Sequence, residues 1–463
     1  MKNDLFRKKS LHTLLDKSNH IQLEQTLSGF DLILLGVGAI IGTGIFILPG
    51  TVAASHSGPS IIFSFIIAAI VCTLAGMCYS EFSSSVPVTG SAYTYGYVVF
   101  GELIAWLVGW ALVLEYGLAV ASVATGWSSY LAALLEGFHL TLPKAISGPF
   151  NSQNGTYING PAVFIVMAIA LLLMRGVQES AKLNKIMVFL KVGVILVFIA
   201  VGVFYVEPPN WQPFMPFGIQ GIMSGAAVVF FAYLGFDAVS SAAEEVKNPQ
   251  RNMPIGIIGS LFICTILYVT VSLILTGIVS YTQLNVNDPV SFAMQLINQN
   301  WVAGIISLGA VVGMTTVILV MLYGGTRLLY AFGRDGLLSK KFCELHPKYK
   351  TPVKSTWILA TLIAFCAGFI PLENLAELVN MGTLLAFTIV SIGILFLRKN
   401  KSVPKGSFKV PFYPVLPVCS FLLCLFLMTQ LSKQTWLACG IWFLIGLFIY
   451  FIYGRKHSSM NHQ

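Results

Sequence analysis

Twelve long apolar stretches alternate with short polar ones along the chain, a pattern that predicts a bundle of membrane-crossing helices. Their bounds are about 30–54, 60–83, 103–133, 160–175, 185–206, 218–244, 255–279, 301–330, 355–371, 375–397, 411–431 and 435–453. Each is near the roughly 20 residues a helix needs to cross a bilayer. Under half of the chain is left for connections, so no attached soluble domain is expected.

Two of these stretches are interrupted. The first contains Gly36, Gly38, Gly42 and Gly44, with Thr43 between the last two. Each glycine inside a helix costs about 1 kcal/mol relative to alanine. The sixth runs Phe230-Phe231-Ala232-Tyr233-Leu234-Gly235-Phe236-Asp237-Ala238, placing a glycine and an acid together in mid-stretch, and continues into the small polar run Ser240-Ser241. A broken helix in lipid frees backbone groups that need partners, and such breaks persist where they line a cavity or hold a ligand.

The interrupted stretches are five apart. An odd offset makes two halves enter the membrane from opposite sides, and paired broken helices in matching positions point to a transporter site at the midplane. The expected fold is therefore all-α and integral to the membrane. It has twelve transmembrane helices, with discontinuous helices 1 and 6. The transport core, 30–397, comprises two inverted five-helix repeats, about 30–206 and 218–397. Helices 11 and 12, at 411–453, lie outside the repeat. Segments 1–29 and 454–463 flank the bundle. The repeat rests on placement, since no identity between the halves is visible.

Composition agrees with this class. Of the 463 residues, 56% are hydrophobic and 10% charged, against about 25% charged in a soluble domain. The first 29 residues are polar and hold five Lys/Arg, unlike a cleavable signal peptide. A formal charge of +9 raises the question of nucleic acid, but its distribution answers otherwise. With the N-terminus inside, 24 of the 27 Lys/Arg fall on cytoplasmic segments, Lys144 and Lys433 fall outside, and Lys191 lies within the membrane. This is the positive-inside pattern. It predicts a multi-pass cell-membrane protein with both termini cytoplasmic, in contact with membrane lipid and not nucleic acid.

The cysteines and histidines suggest no cofactor or metal. Seven of eight cysteines sit in apolar stretches and Cys343 in a cytoplasmic loop, none with ligand spacing. All seven histidines lie outside the stretches. Two loops carry other signals. Ser83 to Tyr97 holds no Lys or Arg although the count places it in the cytoplasm; it reads either as an inner gate packed on the bundle or as a short re-entrant connector. Loop 332–354 is strongly basic, consistent with topology and lipid contact. In the long external loop, Asn154-Gly155-Thr156 fits a glycosylation sequon.

The breaks themselves carry chemistry. Unwinding between Ile40 and Ile45 (Ile40, Ile41, Gly42, Thr43, Gly44, Ile45) exposes amides at the start of a half-helix. That end carries about half a positive charge and binds a carboxylate without a basic side chain. The sixth stretch leaves carbonyls of Phe231, Ala232 and Leu234 at the negative end of its first half-helix, suited to an ammonium group. Together these fit an α-amino acid. The competing explanation is close helix packing on small residues.

Side chains add further candidates. Lys191 lies in the fifth stretch, too deep for easy snorkelling. An ionisable group there is a functional hypothesis by default: burial penalises the ammonium, so the residue can load and release a proton. Otherwise it is a permanent charge tying helices together. Thr315 and Thr316 are its candidate partners. Glu115 either meets a cationic substrate or serves as a hydrogen-bonded strut. Asp237 either couples protonation to gating or caps the second half-helix. Phe231 can close over the substrate with cation–π contact, and Met321 can limit side-chain volume; either can instead be packing.

These motifs resemble the amino acid/polyamine/organocation superfamily of transporters, most closely its cationic amino acid transporter branch. The resemblance runs from Ser28 to about Tyr453 and rests on Gly38 to Phe46, on Tyr79-Ser80-Glu81-Phe82, and on Pro87 to Tyr95. Leu114-Glu115-Tyr116, Gly235-Phe236-Asp237, and Glu244 through Pro249 to Gly256 complete it. It implies the five-plus-five fold, alternating access, substrate backbone recognition at the two breaks, and aromatic gating at Phe231. Lys191 matches the lysine that proton-coupled relatives hold where sodium-coupled ones bind sodium. The expectation is a proton-coupled importer of L-amino acids, neutral and small to medium, with cationic ones possible. The rivals are an exchanger of the same fold and a non-transporting amino-acid sensor. An enzyme is not expected, since no nucleophile–base pair, metal cluster or phosphate loop is present.

Overall fold

The computed structural model describes residues 7–8, 27–85, 91–153, 155–176, 181–241, 246–399 and 408–461. Several positions singled out above lie outside them: Pro87 to Gly90, Asn154, and Glu244 and Glu245.

The described chain is built of helices. The first interrupted stretch is α1 (Gly29–Ile40), α2 (Thr43–Phe46) and α3 (Leu48–Val52), followed by a π-helical turn over Ala53–Ser57. Next come α4 (Ile61–Ser85), α5 (Ser91–Val99), α6 (Glu102–Gly137), α7 (Gly160–Met174) and α8 (Ala181–Gly202). The sixth stretch divides into α9 (Gly218–Val229), a 3₁₀ turn (Phe230–Tyr233) and α10 (Phe236–Ser241). Then follow α11 (Pro249–Ile278), α12 (Pro289–Leu296), α13 (Asn300–Arg334), α14 (Val353–Phe369), α15 (Leu372–Lys399), α16 (Val415–Thr429) and α17 (Lys433–Ile449). Among the described residues, each expected stretch overlaps a helix or a run of helix pieces. Among the described residues, seven helical runs are long and apolar enough to cross a membrane, and five shorter apolar helices accompany them. This is a multi-pass membrane protein.

Local chemistry sets the first entry. Ser28 and Asp31 form a capping box on α1, which satisfies two amides that would otherwise lack partners. Asp31 also pairs with Lys185 of α8. α6 is apolar on all sides and almost wholly buried, as expected of a helix at the bundle centre. α13 and α15 pack along it.

The uncharged segment after α4 is helical and packed where it is described. Its described part forms α5, which packs on α6 and α15. Tyr95 stacks on Phe82 with ring centres 4.8 Å apart, and the Tyr93 hydroxyl donates to Asp335 at 2.7 Å. Near the C-terminus, the Met460 carbonyl accepts from Arg7 at 3.2 Å, and Ser458 donates to the buried Glu102 at 2.6 Å.

Candidate functional site

The two breaks lie against each other. α1 ends where Ile41 turns to extended backbone, and Gly42, at φ −146° and ψ −138°, starts α2. In the other break, Leu234 is extended and Gly235 sits at φ +109°, a region open mainly to glycine. A Cβ on Gly235 would also lie 2.9 Å from the Ala39 carbonyl. A Cβ on Gly44 would lie 2.5 Å from the Ala232 Cα. The glycines thus let the two broken helices touch beside their breaks, which is why both stretches carry them.

A buried tyrosine joins the same two backbones. The Tyr268 hydroxyl, from α11, donates to the Ala232 carbonyl at 2.6 Å and lies 3.1 Å from the Ile40 carbonyl. The Phe231 carbonyl accepts from the Leu234 amide. Nothing in the sequence marks Tyr268, because its partners come from two distant segments.

Between the breaks is a cavity of about 20 Å³, room for a water molecule, so the site is nearly closed. Ala39, Ile40, Gly42, Thr43 and Gly44 line it from the first break, and Phe231 and Leu234 from the second. Ala119 and Val123 of α6 and Val317 and Met321 of α13 complete an apolar wall. The Thr43 hydroxyl is buried with no hydrogen-bond partner among the described residues. Ile41 is fully buried. Ile45 faces a separate apolar void with Phe46, Val194 and Phe198.

The remaining candidates form two groups. Lys191 is buried, and its ammonium donates to the Gly38 carbonyl at 2.9 Å, just ahead of the first break. Its stem crosses Gly313 of α13. Thr316 donates to the carbonyl of Gly313 on its own helix. Thr315 looks toward α6: it accepts from the Trp127 indole at 3.0 Å and donates to the Val311 carbonyl.

The second group is acidic. Glu115 and Asp237 are both buried and face each other, with Thr383 beside Glu115. Tyr116 donates to Asp237 at 3.3 Å. One oxygen of Glu115 has no partner among the described residues. Glu115 sits one helical turn from Ala119, where the cavity lining begins.

α6 supplies a stripe that sequence reading missed. Ala119, Val123, Gly126 and Tyr130 recur at helical spacing. The first two line the cavity. Gly126 lies against the Thr43 methyl with no room for a Cβ, and the Tyr130 hydroxyl donates to the Phe46 carbonyl at 2.7 Å. Only Gly126 offered a signal, as a glycine inside a long helix.

Two broken helices thus meet around a small, nearly closed, apolar cavity. The sequence pattern of the amino acid permease family matches residues 27–449. The chain belongs to that family, within the amino acid/polyamine/organocation superfamily and its cationic-amino-acid-transporter-like branch. It is a transporter and not an enzyme. A methylthioribose transporter of Bacillus subtilis is 54% identical over 99% of this chain and all of its own length. The branched-chain amino acid permease BcaP of the same organism is 52% identical over the whole of both chains. A vacuolar cationic amino acid transporter of Arabidopsis thaliana is 32% identical over 99% of this chain and 97% of its own.

Proposed function

We propose that the chain is a proton-coupled importer of L-amino acids in the cell membrane, working by alternating access. The substrates are neutral, with small to medium side chains. The observation that carries this reading is the cavity between the breaks. It offers the amide-rich start of α2 and the free Thr43 hydroxyl to a carboxylate, the Leu234 carbonyl region to an ammonium, and only apolar groups to the side chain. Phe231 and Met321 bound the space from opposite elements. Lys191, fastened to Gly38, is the group through which a proton would be felt at the break.

The reading includes twelve crossings in two inverted five-helix repeats, with helices 11 and 12 outside them. Both termini are cytoplasmic, a placement that the bond from Arg7 to the Met460 carbonyl supports. Glu115 and Asp237, facing each other between α6 and α10, are placed to register movement of one helix against the other.

A second reading keeps the fold and changes the cargo. The Bacillus subtilis relative at 54% identity is named for methylthioribose, a thioether sugar that lacks both ends of an amino acid. The apolar wall would suit its methylthio group. Uptake of radiolabelled leucine and alanine into proteoliposomes under an inward proton gradient tests the first reading. Accumulation that leucine and methionine compete for, and methylthioribose does not, is the expected result. Leucine exchange without gradient-driven accumulation would make the protein an exchanger, and leucine binding without flux a sensor.

A further inference from the structure

Tyr130 occupies a place that the substrate cavity does not explain. It is fully buried on α6, two turns beyond Val123. Its hydroxyl donates to the Phe46 carbonyl, at the end of α2, and its ring meets the Phe46 ring edge-on at 5.7 Å. The same hydroxyl faces the backbone amides of Val290 and Ser291, in the first turn of α12. One phenol therefore touches both the short helix that begins at the candidate carboxylate site and an outlying helix between α11 and α13. α12 itself lies over the first interrupted stretch: a Cβ on Gly50 would strike Pro289.

Asp288 precedes α12 at its N-cap position. It is mostly covered, and burial, with the carboxylate of Glu136 on α6 beside it, pushes its pKa up to about 7. Tyr130 is the other titratable group facing it. The segments packed on α12 from the remaining sides, Leu48–Val52, 194–202, 271–278 and 300–307, contain no charged residue. Seating α12 thus presses an acid toward an apolar surround and a second acid.

We propose that Tyr130 is a positioning residue that makes seating of α12 and closure of α2 over the substrate a single event, with Asp288 as the pH-sensitive end of that linkage. The inference rests on the permease reading for its substrate arm only. An exposed carboxyl at this position titrates near 3.8. Seating therefore takes up a proton between that value and about 7, and is favoured as the pH falls through this window. Above it, the linkage gives no further change.

The test is a thiol probe under α12. Val290 is 2% exposed, so a Val290→Cys variant of the full chain reacts with maleimide only when the helix lifts. Rates are taken in nanodiscs relative to Thr282→Cys, an exposed position on the same connection, and corrected for the parent protein. Without substrate, the relative rate should rise by up to about tenfold per pH unit between pH 5 and 7, then level off. Asp288→Asn should flatten this profile. Tyr130→Phe keeps the ring and removes the hydroxyl, and should speed labelling at every pH. Saturating L-leucine should protect the introduced thiol in the Val290→Cys protein. It should no longer do so once Tyr130→Phe is added, even where calorimetry shows leucine still bound. Equal protection with Tyr130→Phe present, or a pH profile unchanged by Asp288→Asn, would overturn the proposal. Failure of leucine to bind the parent protein would sink the substrate reading instead, and the substrate-free labelling would still decide the linkage.

Discussion

The Lys191 Nζ donates to the Gly38 carbonyl at 2.9 Å, so a buried amine holds the last turn of α1 just before it unwinds. On the proposed reading, a change in its charge would act on this carbonyl, at the edge of the break. Lys191→Met keeps the length of the stem and removes the ammonium. The expected outcome is leucine binding retained and proton-driven accumulation lost, with a melting cost of about 1–3 kcal/mol from the unpaired carbonyl. Uptake and thermal unfolding measured on the same preparation check it. Undiminished proton-driven accumulation in Lys191→Met would reduce the residue to a structural tie.

Much of this site was legible in the sequence because glycine and charge are conspicuous in an apolar stretch. Gly42, Gly44 and Gly235 marked both breaks, and Lys191, Glu115 and Asp237 stood out as ionisable groups. The contributions of Tyr268 and Tyr130 were not legible. A tyrosine in a long apolar helix has no visible direction, and its partners here, the carbonyls of Ala232 and Phe46, belong to other segments. The stripe on α6 was hidden for a related reason: when every face of a helix is apolar, periodicity does not say which one meets the cavity. Thr315 shows the same limit, since its neighbour Thr316 was equally eligible and only the packing turned it toward Trp127.

Met321 and Phe231 both line the cavity, and on the proposed reading the Met321 thioether limits the side-chain space. Met321→Ser removes most of that volume and adds a hydroxyl. Arginine and lysine should gain measurable binding, while leucine loses about 1–2 kcal/mol of apolar contact. Competition against radiolabelled leucine reads both effects. Unchanged exclusion of arginine would mean that the space is limited elsewhere, by Ala119 or Val317.

Gly44 tests whether the two broken helices must touch. An added Cβ meets the Ala232 Cα at 2.5 Å, and backbone on both sides leaves little room to yield. Gly44→Ala should fold with an overpacking cost of about 1–3 kcal/mol and lose transport, because the breaks can no longer close on each other. Gly440→Ala is the matched control, since nothing lies within 4 Å of its Cβ; it should transport normally. Transport by Gly44→Ala at the control rate would show that the close approach is dispensable.

A two-pronged ion pair lies away from the cavity. Glu81, at the end of α4, accepts two bonds of 2.7 Å from Arg398 of α15 and one of 2.6 Å from the Val410 amide. The Arg398 guanidinium also covers the Tyr413 ring at 4.1 Å. One carboxylate, 4% exposed, therefore fastens α4, α15 and the start of the C-terminal pair of helices. Removing one partner strands a buried charge, which typically costs about 3–5 kcal/mol. Arg398→Met should lower thermal stability by that order, and Glu81→Gln should cost less because the amide keeps an acceptor for Val410. The double variant should recover much of the loss, since it buries no lone charge. A double-mutant cycle on unfolding midpoints measures this coupling. Additive losses in the cycle would mean that the two side chains stabilise the protein independently, through packing on Tyr413 and Val410 and not through each other.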